Sequence, residues 1–411
     1  MRILLHTGKG GVGKTTVSAT TAIAAARRGY RTLVLSTDPA HSLADVLGIP
    51  IGPDPDEVPG VPGLFAAQVD TRIRLEQAWS AIRQYLVGVL AARGMAEVQA
   101  EELTELPGAE EVLALLEVRR HAESGRFDAI VVDCAPSGET LRLLALPETV
   151  AFYVGRLMAT PRRVLRSVAA SLVGAGGVMP NGEVRDAVGD LLAELTAART
   201  LLCDPQTSSV RLVLTPERVV LAEARRLHTA LTLHGYAVDG VVVNRVLPRD
   251  AGGRFLAGWR TAQRVVLHDI SESFGAATVH RIPMTSVEPV GIVELAALAD
   301  GVFATTDPLA RAVAVPAMSV AVAGEGYRLL LPLPHVERSE IELARSGDDL
   351  VITLGSVRRR IALPSVLRRC SVIGAELAGE ELGIDFRPDP ARWPAALTQD
   401  GAPRVAVGGA R

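Results

Sequence analysis

The sequence predicts an α/β fold: a doubly wound, mostly parallel sheet with helical insertions, followed by a small all-β sandwich. Three observations carry this. Short all-apolar runs alternate with helical stretches through residues 1–305, the pattern of a parallel sheet covered on both faces. A glycine-rich loop joins the first apolar run to a helix. Beyond about residue 307 the apolar period changes from that of a helix to the two-residue alternation of strands.

The elements follow in order. Residues 3–6 read as a first strand and 15–28 as an Ala-rich helix closed by Gly29, a common C-terminal stop. Residues 31–37 form a second strand. Residues 127–132 form a third that ends at Asp133, and 210–214 and 240–243 form two more. Two helical insertions separate these strands, at about 75–123, broken at Pro107-Gly108, and at about 150–200. Insertions of this kind commonly carry the specific partner or substrate. Within the second, residues 164–178 are apolar but built from Ala, Val and Gly, which suits a modest groove or an ordinary buried helix equally.

A linker is expected at 306–317 and the sandwich at 318–387. Its signals are a β-like stretch at 327–333 and a hairpin of 341–344 and 350–354 turning at Ser346-Gly347-Asp348-Asp349. A strand at 360–363 and the alternation of Leu382, Ile384 and Phe386 complete it. Residues 388–411 are rich in Pro, Ala, Gly and Arg without periodicity, as in a disordered tail.

Composition narrows the function. The 411 residues are 48% hydrophobic and 22% charged, the balance of a protein with large cores. Lys and Arg number 43 against 46 Asp and Glu, a net charge of −3, so no basic surplus advertises nucleic acid as a partner. Three cysteines, Cys134, Cys203 and Cys370, form no CxxC pair and suit a reducing, cytoplasmic setting. No uninterrupted apolar run reaches the roughly 18–20 residues that span a bilayer.

The chemistry is announced by Gly8-Lys9-Gly10-Gly11-Val12-Gly13-Lys14-Thr15, which fits G-x-x-x-x-G-K-[ST] between a strand and a helix. Glycines let successive N–H groups turn toward phosphate oxygens, and the helix N-terminus, with Thr16 in its first turn, adds partial positive charge. Lys14 then reaches the β/γ-phosphates of ATP, and the Thr15 hydroxyl can ligate Mg²⁺. The catalytic candidates are Asp38, Lys9 and Lys14. Asp38 follows the second strand in Asp38-Pro39-Ala40-His41-Ser42, where a carboxylate can orient the attacking water. Asp133 follows the third in Asp133-Cys134-Ala135-Pro136-Ser137-Gly138-Glu139-Thr140, placed to hold Mg²⁺ through water, with the Pro-Ser-Gly backbone as a γ-phosphate switch.

These motifs, GKGGVGKTT, STDPAHSLAD and DCAPSGETLRLLALP, make residues 1–305 resemble the arsenite-transporting and tail-anchored-protein-targeting ATPase family. The fold implied is a P-loop NTPase of the deviant Walker, SIMIBI type. In that class the extra lysine, here Lys9, reaches the nucleotide of a facing subunit, which implies a homodimer. By the same resemblance Glu217 in Thr215-Pro216-Glu217, near Ala222-Glu223-Ala224, marks the nucleotide-contacting segment and offers Lys9 a counter-charge. Asn244 ends the strand that reads adenine, and Pro283 opens the loop through Glu288-Pro289 to Gly291 that flanks the base. Residues 318–387 resemble the α-crystallin, or small heat-shock, domain.

Two departures matter. Residues 247–270 contain no cysteine, so the zinc that joins eukaryotic targeting ATPases has no ligands there. Nothing in the sequence groups the three thiols as an arsenite or iron–sulfur site would require. The expected function is Mg-dependent ATP hydrolysis by a dimeric nucleotide switch that serves as a chaperone or targeting factor. Its partner is a hydrophobic client protein or membrane segment, with peripheral membrane association open. An anion-transport ATPase is the alternative. A partitioning switch and a metabolic ligase fit less well, lacking respectively a basic surface with an amphipathic C-terminal helix and a second substrate site.

Overall fold

The computed structural model describes residues 1–38, 42–69, 109–138, 140–141, 144–145, 182–274, 279–311 and 318–392. The chain divides into two compact units, residues 1–227 with 236–314, and residues 228–235 with 315–411.

The first unit is built on strand β1 (Arg2–Thr7), whose six residues are all buried. Its apolar run Ile3-Leu4-Leu5 is tolerated only where both faces are covered. β1 lies between β5 (Ala129–Asp133) and β6 (Ser208–Leu214), both parallel to it. β2 (Thr32–Ser36) pairs with β5, and β4 (Leu64–Gln68) with β2. On the other side β7 (Val238–Val246) pairs with β6 and β8 (Val279–Pro283) with β7. The two-residue β3 (Asp56–Glu57) is the antiparallel exception, giving an eight-stranded order β3-β4-β2-β5-β1-β6-β7-β8. The predicted class is therefore the observed one.

Helix α1 (Lys14–Ala26) packs on this sheet through a surface of small residues. Ala19, Ala22 and Ile23 are fully buried beside Val131, Leu64, Leu43 of α2 (Ser42–Leu47) and Leu295 of the late helix Ile292–Val302. Small side chains let backbone approach backbone, and the Ile23 side chain alone contributes about 1.5–3 kcal/mol by leaving water. Helices α3 (Ala109–Glu123) and α4 (Gly182–Cys203) pack together, and Arg119 of one pairs with Glu194 of the other. They are the described ends of the two insertions. The apolar stretch 164–178, with Met158 and Met179 near it, lies outside the described residues. No described helix is long and apolar enough to cross a membrane.

Part of the expected linker belongs to the first unit. Leu309 is buried against Ala25 and Ala129, and the Pro308 and Thr306 carbonyls accept hydrogen bonds from Arg211 and Arg28. A Pro-containing stretch can be fixed this firmly because its carbonyls remain free to accept.

The second unit holds a four-stranded antiparallel sheet, β14-β15-β10-β9, and a three-stranded one, β11-β12-β13. The first is formed by β9 (Ser319–Ala323), β10 (Gly326–Pro332), β14 (Cys370–Ala378) and β15 (Glu381–Pro388). The second is formed by β11 (Ile341–Ser346), β12 (Asp349–Leu354) and β13 (Val357–Ala362). Alternating residues of both fill the core, among them Leu329, Leu331, Ile352, Ile384 and Phe386. The described structure runs past residue 388, where a tail is expected to begin. β15 runs to Pro388, and the Asp389 N–H donates to the Arg369 carbonyl at 3.0 Å. Residues 393–411 lie outside the described residues.

Within this unit His228 Nδ1 and His335 Nε2 are 3.0 Å apart. Burial, reinforced by the neighbouring His335 charge, pushes the His228 imidazole down to about 3. The unfolded chain takes up that proton near pH 6.5 and the folded chain does not. The stability this contributes is complete above about pH 6.5 and is lost progressively as pH falls toward 3. The melting temperature should therefore drop between pH 7.5 and 5.0, and by less in His228→Gln. An equal drop in both proteins would remove His228 as a cause.

Candidate functional site

Every sequence-predicted site residue lies at or beyond the carboxyl end of a parallel strand, the edge where open α/β sheets bind ligands. The loop Gly8–Gly13 leaves β1 and turns into α1. Two glycines there are obligatory. A Cβ on Gly8 would lie 2.1 Å from the Val213 carbonyl oxygen, and Gly13 has φ +91° with a Cβ position 2.3 Å from Asn244 Nδ2. Gly10 and Gly11 are exposed, Val12 is buried beneath the loop, and Thr16 is half-buried in the first turn of α1. Lys14 is buried and its ammonium donates to the Lys9 carbonyl at 3.4 Å.

Below the loop lies a buried polar chain. His6 Nδ1 is 3.1 Å from the Ser18 hydroxyl, which sits 2.9 Å from the Lys14 carbonyl and 3.3 Å from Asp133 Oδ1. Burial holds His6 neutral, well below the ordinary histidine value, with the Arg211 and His280 charges adding to the effect. Asp133 is fully buried, and that burial pushes its carboxyl up to about 7, with Asp38 adding to the rise and Thr15 and Lys14 opposing it. Its Oδ2 has no hydrogen-bond partner among the described residues. A buried, unsatisfied carboxylate oxygen beside a threonine hydroxyl is the donor set of a hard cation such as Mg²⁺. The Thr15 hydroxyl lies 3.1 Å from Ser42 Oγ of α2.

Asp38 follows β2 directly, half-buried, with its N–H 3.3 Å from Ser36 Oγ. Its neighbour Thr37 donates from its backbone N–H and hydroxyl to the Asp133 carbonyl, at 2.9 and 3.2 Å. The two carboxylate segments are thus stitched together. Pro39, Ala40 and His41 lie outside the described residues.

The third wall comes from the second half of the unit. Asn244 is buried, donates from Nδ2 to the Val12 carbonyl at 2.9 Å and accepts from the Arg245 N–H at 2.9 Å. It sits at a bulge in β7 where Arg245 adopts φ +58°. Gln263 of the helix Arg254–Phe274 clasps this bulge, accepting from the Leu247 N–H and donating to the Arg245 carbonyl. Pro283, at the end of β8, is exposed and lies apart from the phosphate loop in register with Val246. Glu217 is exposed and accepts from the Thr215 hydroxyl at 3.1 Å.

The carboxylate beside Lys9 is Glu223, 3.0 Å from its ammonium, and not the expected Glu217. Glu217 precedes helix α5 (Arg218–Leu233), whereas the second turn of that helix is what meets the loop. Glu223 also accepts a 2.7 Å hydrogen bond from Ser137. The thiols are dispersed: Cys134 is buried below the loop, Cys203 ends α4 and Cys370 begins β14. Among the described residues, no group of three or more His, Cys, Asp or Glu side chains is arranged to hold a metal.

A strand–glycine loop–helix with a buried lysine at its base, facing two carboxylates from adjacent strand ends, defines a P-loop ATPase. Comparison with known proteins agrees and refines the class. The family model described as "Anion-transporting ATPase" matches residues 1–303, and "HSP20-like domain found in ArsA" matches residues 324–386. The chain belongs to this ArsA ATPase family. A "Putative arsenical pump-driving ATPase" of Chlorobaculum tepidum is 36% identical over 89% of this chain and 90% of its own length. "Protein Rv2184c" of Mycobacterium tuberculosis is 38% identical over 96% and 97%. "ATPase GET3B" of Arabidopsis thaliana is 30% identical over 71% and 76%.

Proposed function

We propose that the chain is a Mg-dependent, dimeric ATP switch that serves as a chaperone or targeting factor for hydrophobic clients. The observation that carries this reading is the joining of the ATPase unit to an HSP20-like β-sandwich. Thiol chemistry supports it over anion extrusion. Burial raises the Cys134 and Cys370 thiols above their ordinary value, which disfavours the thiolate that a soft arsenite ligand needs. The names of the pump-driving relatives keep anion transport as the second reading.

In this mechanism the loop N–H groups and the N-terminus of α1 hold the phosphates, with Lys14 released from the Lys9 carbonyl to reach them. Thr15 would hold Mg²⁺ directly and Asp133 through water. The ion supplies charge neutralisation for phosphoryl transfer. Asp38 orients the attacking water. Ser137 and Gly138 respond to the γ-phosphate, Asn244 and Pro283 border the base, and Glu217 borders the nucleotide.

Lys9 is the dimer residue. Its side chain is 41% exposed at the mouth of the loop, where it pairs with Glu223 at 3.0 Å, and breaking that pair would let it reach a facing copy. Small-angle scattering of the Asp38→Asn protein should show a compact dimer with Mg·ATP. Adding Lys9→Ala should remove that response while ATP binding persists. If the double variant compacts as fully as its parent, Lys9 does not act in trans. Client proteins recovered with the trapped dimer should carry apolar segments, whereas stimulation of turnover by arsenite alone would favour the second reading.

A further inference from the structure

Lys9 and Ser137 belong to different walls of the phosphate mouth, one in the loop after β1 and the other in the segment after β5. One side chain from a third element holds both. Glu223 of α5 lies 3.0 Å from Lys9 Nζ and accepts the 2.7 Å hydrogen bond from the Ser137 hydroxyl. The backbone adds a third tie, from the Ser137 N–H to the Gly8 carbonyl at 3.2 Å. Burial alone would raise the Glu223 carboxyl, but the Ser137 and Lys9 hydrogen bonds overcome it and hold it below its ordinary value.

We infer that Glu223 is a positioning residue that latches the phosphate mouth, keeping Lys9 on its own subunit and tying the Ser137 segment to the phosphate loop. The latch opens by charge competition. Lys9 is paired with one half-buried carboxylate, and a triphosphate at the mouth offers the same ammonium several negative oxygens. Once Lys9 leaves, Glu223 faces the incoming phosphates as a like charge, which favours withdrawal of Ser137 with it. ADP lacks the terminal phosphate that displaces the Ser137 segment. Opening is therefore a toll on ATP binding and not on ADP binding, in proportion to the population of the closed form. The inference rests on the proposed switch in one respect: ATP, not ADP, must move these two groups.

Glu223→Gln in the full-length chain tests it, since glutamine keeps the shape and can still accept from Ser137 but loses the charge that holds Lys9. Calorimetry with a non-hydrolysable ATP analogue and with ADP, both with Mg²⁺, reads the outcome. The analogue should bind about two- to fivefold tighter, as release of a partly exposed ion pair allows, with ADP affinity unchanged. Ser137→Ala, which cuts the other arm and leaves α5 intact, should shift the same preference in the same direction and replaces the glutamine variant if that melts early. Equal changes for both nucleotides, or a weaker analogue affinity, would overturn the latch. A wild-type protein that compacts with the analogue while neither variant changes preference overturns the latch alone. A wild-type protein with no scattering response to the analogue and no analogue–ADP preference overturns the latch and the switch together.

Discussion

Asp38→Asn should abolish nearly all ATP turnover while leaving ATP affinity within a few-fold of wild type. The carboxylate stands at the end of β2, one residue beyond the Thr37 N–H that is fixed to the Asp133 carbonyl at 2.9 Å. It is close enough for its charge to help push the Asp133 carboxyl up. That places Asp38 beside Asp133 at the ends of adjacent strands, where under the proposed mechanism it orients the water that attacks the γ-phosphate. Phosphoryl transfer asks the protein mainly for positioning and charge stabilisation. In the proposed mechanism the loop amides and Lys14 supply the binding, so their contribution should survive the substitution. An asparagine keeps the size but cannot take or fully orient the proton of the water. The expected fall in kcat is about 10²–10⁴-fold, the usual span for a lost general base. Steady-state phosphate release and calorimetry on the same preparation separate the two effects. A kcat within threefold of wild type would move water activation to another residue. A parallel collapse of affinity would make Asp38 a binding group.

The residues that allow this argument were legible to unequal degrees. The phosphate loop is local: eight consecutive residues set both its backbone and its chemistry, so the sequence alone places it. β1, β2 and β5 are legible for a related reason, since a strand buried on both faces carries a mostly apolar run, here Ile3-Leu4-Leu5, Leu33-Val34-Leu35 and Ala129-Ile130-Val131-Val132. β4 escaped because Leu64-Phe65-Ala66-Ala67-Gln68 is short and weakly β-forming, and its pairing with β2 supplies what propensity does not. β8 escaped because Val279-His280-Arg281-Ile282-Pro283 is an edge strand with only Ile282 fully buried. β14 is exposed along most of its length and carries a register shift between Val372 and Gly374, so it lacks clean alternation. Site contacts formed at long range were harder still. Asn244 and Val12 are 232 residues apart, and the β1–β6 and β6–β7 pairings together bring them into contact. Glu217 and Glu223 both lie near the start of α5, and the choice between them as the Lys9 partner depends on where the helix meets the loop.

The largest effect on stability is expected from Asp239, near the amino end of β7 and remote from the nucleotide. Its carboxylate accepts from Arg2 at 2.9 Å and from Arg211 at 3.1 and 3.3 Å. The three side chains are 6%, 2% and 4% exposed for Arg2, Arg211 and Asp239. The arginines reach further partners in Ser209 and in the Pro308 carbonyl. Burial pulls the Arg2 guanidinium down from its ordinary value even with Asp239 beside it. The cluster therefore holds one negative charge between two positive ones in a dry interior. Asp239→Ala leaves both guanidiniums buried without their counter-charge and should destabilise the first unit by about 3–5 kcal/mol. Urea unfolding monitored by circular dichroism measures it as a fall in midpoint. The loss belongs to the stranded charges and not to the pair as such, because desolvating three ions already consumes most of their mutual attraction. The triple variant Arg2→Met, Arg211→Met, Asp239→Leu should consequently lose much less than the single one. If the triple variant is as unstable as Asp239→Ala, the hydrogen bonds to Ser209 and Pro308 are what matter. If Asp239→Ala loses under 1 kcal/mol, water reaches the arginines and the site is not dry.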